Sequence, residues 1–155
     1  MFSKKMFLII LLVFIITALT FVVNISYNYH YDHFSCVGKI EFNKNDKKYF
    51  AQVKYIFDGG KGQIYALGEY SQPGQPNKKI SQRLLFTYTR KNNEIMMLSK
   101  RSLLNDSQSR ILNELIPDFY LYKDRGFRIK IFSLQGGGYV FTTYNLPVFI
   151  CTKIE

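Results

Sequence analysis

Eighteen consecutive residues, Met6 to Val23, carry no charge. As a helix rising 1.5 Å per residue they would span ~27 Å, close to the ~30 Å hydrocarbon core of a bilayer. A cleaved secretory signal is the rival reading, but its apolar region runs only ~7–15 residues and ends in a small-x-small cleavage site. No such pair occurs in the NISYNYHYDHF stretch that follows, and Cys36 lies too far downstream to complete a lipobox. The expectation is an uncleaved signal anchor, one transmembrane helix over 6–23. Lys4 and Lys5 keep the short tail, residues 1–5, in the cytoplasm, so the C-terminal part is exported. Tyr27, Tyr29 and Tyr31 suit the membrane interface, where the ring sits among headgroups and the phenol meets water. Residues 24–35 read as an irregular juxtamembrane linker.

Removing the anchor and tail leaves about 130 residues, enough for one domain with one core, placed at residues 36–155. Setting aside Lys4 and Lys5 leaves nineteen of the 21 basic residues against eleven acidic ones, a net +8. On the far side of a membrane this excess speaks for a solvated surface drawn to anionic headgroups or an acidic partner, not for nucleic acid. Fourteen Phe and twelve Tyr without Trp favour a β-rich domain, because aromatics pack well on pleated surfaces. Cys36 opens the folded region and Cys151 nearly closes it. An exported compartment permits disulfides, and two cysteines fit one bridge, which would set the first and last strands side by side.

After Cys36 the chain reads as short strands separated by turn chemistry. Cys36–Phe42, Lys48–Phe57, Gly62–Tyr70, Ile80–Arg90 and Glu94–Arg101 come first. In the second, Ala51, Val53, Tyr55 and Phe57 alternate with polar residues at the period of a half-buried strand. Asp58-Gly59-Gly60-Lys61 is a hairpin signal. One helix follows, capped by Asn105 or Ser107, with Ile111, Leu112 and Leu115 on one side and Pro117 ending it. It is expected to lid one end of the sheet. Phe119–Lys123, Phe127–Leu134, Tyr139–Thr143 and Val148–Lys153 complete the set as further strands. Short connections imply an antiparallel meander of eight or nine strands. Closing it removes its exposed edges, so a lipocalin-like β-barrel or curled sheet is expected, with a β-sandwich as the alternative.

Chemistry is sparse. His30, Asp32 and His33 lie in the linker with no rigid element to set metal geometry, and the two histidines are the only ones in the chain. The carboxylates Glu69, Glu94, Glu114, Asp118 and Asp124 form no visible acid/base pair. The glycine runs at 59–62 and 136–138 lack a following helix that would cradle phosphate. No catalytic residue, metal site or cofactor is predicted, and the chain is read as non-enzymatic. The aromatic load leaves two readings of the interior, a filled core or a ligand cavity.

The Cys36-x-Gly38 opening, GQIYALG, ISQRLLFTYTR, LIPDFYLY, GGGYVFTT and the terminal LPVFIC together resemble the FidL-like membrane proteins of enteric bacteria. The resemblance covers nearly the whole chain and implies a bacterial inner-membrane protein with a periplasmic β domain. Its genes are associated with membrane-bound transcription regulators similar to ToxR. By analogy of layout it implies a ToxS-like accessory protein that binds the regulator's periplasmic sensor domain, with a small amphipathic ligand as a further partner. The competing reading is a stand-alone module for lipid, bile salt or envelope polymer.

Overall fold

The computed structural model describes residues 4–144 and 146–154, so residues 1–3 of the expected tail lie outside it. The chain divides into two compact units after His33.

The first unit is one helix, α1 (Lys4–Asp32), 29 residues long and exposed throughout its apolar stretch. Its length and apolar composition, with a mean hydropathy of 3.1, are enough to cross a membrane. Hydroxyls inside the apolar run are satisfied locally: Thr17 Oγ1 donates to Phe14 O at 2.9 Å and Thr20 Oγ1 to Thr17 O at 2.9 Å. The expected irregular linker is corrected. Residues 24–32 continue the helix, adding a rigid length of ~13 Å beyond Val23. Nothing in Asn24–Asp32 breaks a helix, since the segment holds neither Pro nor Gly. Tyr27 and Tyr31 fall at helical spacing, and their rings stack with centroids 5.5 Å apart.

The second unit is an eight-stranded antiparallel closed barrel with meander order. Its strands are β1 (His33–Lys44), β2 (Lys47–Asp58), β3 (Lys61–Ser71), β4 (Lys78–Lys91), β5 (Glu94–Ser102), β6 (Gly126–Leu134), β7 (Gly138–Thr143) and β8 (Leu146–Lys153). β8 returns to β1 with Cys36 opposite Lys153 and Val37 opposite Thr152. The two cysteine sulfurs are at bonding distance, with their Cα atoms 5.4 Å apart. The Asp58–Lys61 hairpin turns through Gly59 and Gly60, both at positive φ, whose backbone twist matches that of the strands.

Period-two burial decides what faces inward. Along β2, Tyr49, Ala51, Val53, Tyr55 and Phe57 are buried while Lys48, Phe50, Gln52 and Asp58 are exposed. Gly38, Gly62 and Gly68 are strand positions that must be glycine, Gly38 because a Cβ there would stand 2.3 Å from the Phe149 ring. A Cβ on Gly62 would stand 2.2 Å from the Phe86 ring, and one on Gly68 2.5 Å from the Tyr49 ring. Each ring therefore lies flat against bare backbone, and Gly62 and Phe86 are also cross-strand partners.

Between β5 and β6 run two short helices, α2 (Asp106–Leu112) and α3 (Asp118–Leu121). Asn105 caps α2 with a capping box: its Oδ1 accepts from Gln108 N at 2.8 Å, and Gln108 Oε1 accepts from Asn105 N at 3.3 Å. The expected strand Phe119–Lys123 is corrected to α3. Pro117 starts that turn, and Phe119 and Leu121 are buried with Leu112, Leu115 and Ile116 as a lid on the core. Burial of those side chains outweighs the strand preference of an aromatic-rich segment. β8 also begins before Pro147, not after it.

Candidate functional site

A ligand cavity inside the barrel needs empty space, and the inward residues are too large to leave it. Phe57 is the hub. Its ring stacks on Phe34 at 4.6 Å and meets Tyr88 at 5.2 Å, Phe86 at 5.6 Å and Phe141 at 6.3 Å. Tyr55, Phe141 and Phe149 form a second group at 5.0–5.5 Å. At the lid, Phe119 stacks on Phe127 at 5.3 Å and meets Phe86 at 6.1 Å. The aromatic load fills a core.

The lid is latched by buried polar groups. The Tyr55 and Tyr120 hydroxyls share a hydrogen bond of 2.8 Å. Gln82 Nε2 and Ser102 Oγ both donate to Tyr120 O, the latter at 3.0 Å. Ser99 Oγ donates to Tyr122 O at 2.6 Å and accepts from Arg125 N at 2.9 Å. Outside, Lys47 Nζ donates to Glu114 Oε2 at 2.7 Å, which raises the lysine pKa and lowers that of the carboxyl. The pair therefore ties β2 to the lid across neutral pH, and it loosens in acid as Glu114 protonates.

Burial pushes the Tyr49 and Tyr120 phenols up to about 12, and Tyr55 well above the usual range. The phenols ionise near 10 in an unfolded chain, so their contribution to stability is complete below pH 10 and is lost as pH rises toward 12. The barrel should open cooperatively in that window, with the phenolate absorbance of the buried tyrosines appearing only on unfolding. The Tyr49 hydroxyl is buried without a hydrogen-bond partner among the described residues. Tyr49→Phe should accordingly move the alkaline midpoint upward and raise stability by ~1 kcal/mol. A midpoint that falls would show that this hydroxyl is bonded.

The outer face is divided. On β2–β4 it is mixed, with Phe50 and Leu67 exposed beside a polar cross-strand row of Lys54, Tyr65 and Arg83, the Arg83 guanidinium 5.2 Å from the Tyr65 ring centroid and its Nη2 donating to Gln63 Oε1 at 2.9 Å. On β6–β8 it is basic at Arg128 and Lys130 and apolar beyond them. Phe132, Val140 and Ile150 stand in register across three strands, with Leu134 and Val148 beside them. Phe132 is 41%, Leu134 42%, Val148 53% and Ile150 63% exposed, although the inner row beneath is already a complete core. A groove of about 650 Å³ lined by Val148, Ile150, Val37, Lys39 and Gln52 continues this face onto β1 and β2. Such a contiguous exposed patch is what interaction surfaces look like.

Of the residues singled out from sequence, Cys36 and Cys151 come together. Lys4, Lys5, Tyr27, Tyr29 and Tyr31 all lie on α1. The His33 ring stacks on Tyr29 at 4.0 Å, and its Nδ1 lies 2.8 Å from Tyr29 O. Among the described residues no group of three His, Cys, Asp or Glu could hold a metal ion. The apolar outer row was missed. Its signal was present in β6 as Phe132 and Leu134, which are in phase with the polar Arg128 and Lys130.

Residues 33–151 match the family described as the YqeJ C-terminal domain, and the chain belongs to that family. No curated protein and no solved structure matches it.

Proposed function

We propose that this member of the YqeJ C-terminal domain family is a membrane-anchored, non-enzymatic accessory protein. Its helix α1 would sit in a bacterial inner membrane with the N-terminus in the cytoplasm and the barrel in the periplasm. Its partner would be the periplasmic sensor domain of a membrane-bound transcription regulator similar to ToxR, in the manner of a FidL-like or ToxS-like protein. The observation that carries this reading is the apolar outer face of β6–β8 over an interior already filled. A packed core with spare apolar surface outside suits a protein partner better than a ligand carrier. Anchoring both proteins in one membrane raises their effective concentration, so a modest patch suffices.

The test is co-purification from gently solubilised membranes under native expression. The wild-type chain should bring the regulator with it. The double substitution Phe132→Asp with Ile150→Asp should lower recovery of the partner about tenfold or more while leaving the melting temperature nearly unchanged, because both residues are exposed. Recovery of the wild-type protein alone would sink the reading.

A further inference from the structure

The end of β5 carries a feature that partner binding leaves unused. Its pairing with β4 shifts: Phe86 is opposite Ser99, but Leu85 is opposite Arg101, so Lys100 is an extra residue in a β-bulge. Regular alternation from Ile95, Met97 and Ser99 would send Arg101 inward. The bulge instead leaves Lys100 and Arg101, neighbours in sequence, both exposed on the outside. With Leu104, Leu121, Arg110 and Lys123 they line an open cleft of about 520 Å³ between β5 and the lid. Four cations thus line one cleft against a single lining acid, Asp106. Lys123 has Asp124 at 3.6 Å. Among the described residues Lys100, Arg101 and Arg110 have no ion-pair partner.

Like charges gathered in excess of their counter-ions repel one another, and a folded protein tolerates them more easily when an anion joins them. The walls are held in place beforehand. Ser99, fully buried, fastens Tyr122 and Arg125, Ser102 fastens Tyr120, and Tyr122 Oη donates to Asn113 Oδ1 at 3.1 Å. Two guanidinium forks and two ammonium groups match an oxyanion with several negative oxygens better than a single carboxylate. We infer that this cleft binds a phosphoryl group bearing two or more charges, a phosphate monoester or diphosphate. The same chemistry is offered by a soluble phosphorylated compound and by a lipid headgroup.

The full chain reconstituted in phosphatidylcholine nanodiscs separates these sources. One arm titrates pyrophosphate by calorimetry at two salt concentrations. The other compares nanodiscs with and without phosphatidic acid, reading the melting temperature of the barrel. Binding in either arm should weaken about tenfold or more in the variant Arg101→Gln with Arg110→Gln. It should change less than about twofold in Lys54→Gln with Lys79→Gln, an equal loss of charge on the β2–β4 face. A response in the first arm assigns a soluble ligand, and one confined to the second assigns a lipid. No response in either arm overturns the inference, as does equal weakening by the two variants, which would mean diffuse charge attraction only. Unchanged melting of both variants without ligand confirms that the exposed glutamines leave the fold intact.

Discussion

Replacing Cys36 and Cys151 together by serine should destabilise the barrel by roughly 4–5 kcal/mol. The bridge spans a sequence separation of 115 residues. On the chain-entropy account, a loop of that size removes about this much conformational freedom from the unfolded state. The position of the bond adds a second reason. It joins β1 to β8, the seam at which the meander closes on itself, where the register pairs Cys36 with Lys153 and Val37 with Thr152. Without the bridge, closure must bring together the two most distant strands in sequence against the full cost of ordering the chain between them. The melting temperature of the full chain in neutral detergent should fall on the order of 15–20 °C. Adding a reductant to the wild-type protein should produce the same fall, and thiols should label only after reduction. An unchanged melting temperature in the serine variant would remove the seam from the account of stability.

Phe57→Ala should cost ~3–5 kcal/mol. The side chain is 2% exposed and its ring meets those of Phe34, Tyr88, Phe86 and Phe141, which come from three other strands, β1, β4 and β7. Alanine leaves a void bordered by rigid aromatic rings that cannot relax into it, so the transfer and cavity penalties add. Phe57→Leu refills part of the space and should cost less than half as much. Urea unfolding should show a lower midpoint with an unchanged slope, which marks a loss of stability without a change of fold. Phe34→Ala combined with Phe57→Ala should cost less than the two single losses added together, because the stacked pair is removed only once. A midpoint shift below about 1 kcal/mol for Phe57→Ala would mean that the interior is loose enough to collapse, and would reopen the case for an internal ligand.

Much of the barrel is legible in the chain. Alternation in Ala51–Phe57 assigns the inward side of β2, Gly59-Gly60 places the first hairpin, and Asn105 with Gln108 marks the start of the lid helix. The missed elements share a cause. In Asn24–Asp32 the apolar pattern stops, which suggests a linker, yet the segment holds neither Pro nor Gly to break the helix. Phe119–Lys123 has strand composition, but the core opening above Phe86 and Phe127 accepts a helical turn there. Local preference yields to burial in both the lid and the sheet.

The two candidate surfaces were harder to read. The apolar row of Phe132, Val140 and Ile150 comes from three strands and exists only once their register is set. The basic cleft depends on one extra residue at Lys100, a bulge that no local pattern announces. Whether the aromatic residues enclose a cavity or fill it also depends on which Phe and Tyr rings meet across strands.

By itself the sequence determined a membrane-length apolar helix, a β-rich domain and a pair of cysteines at its two ends, because hydropathy, period and turn chemistry act over a few neighbouring residues. Only the tertiary structure decided the closed barrel, the filled interior, the apolar outer face and the cation-lined cleft. Those depend on pairings between residues far apart in the chain, and strand register alone brings them together.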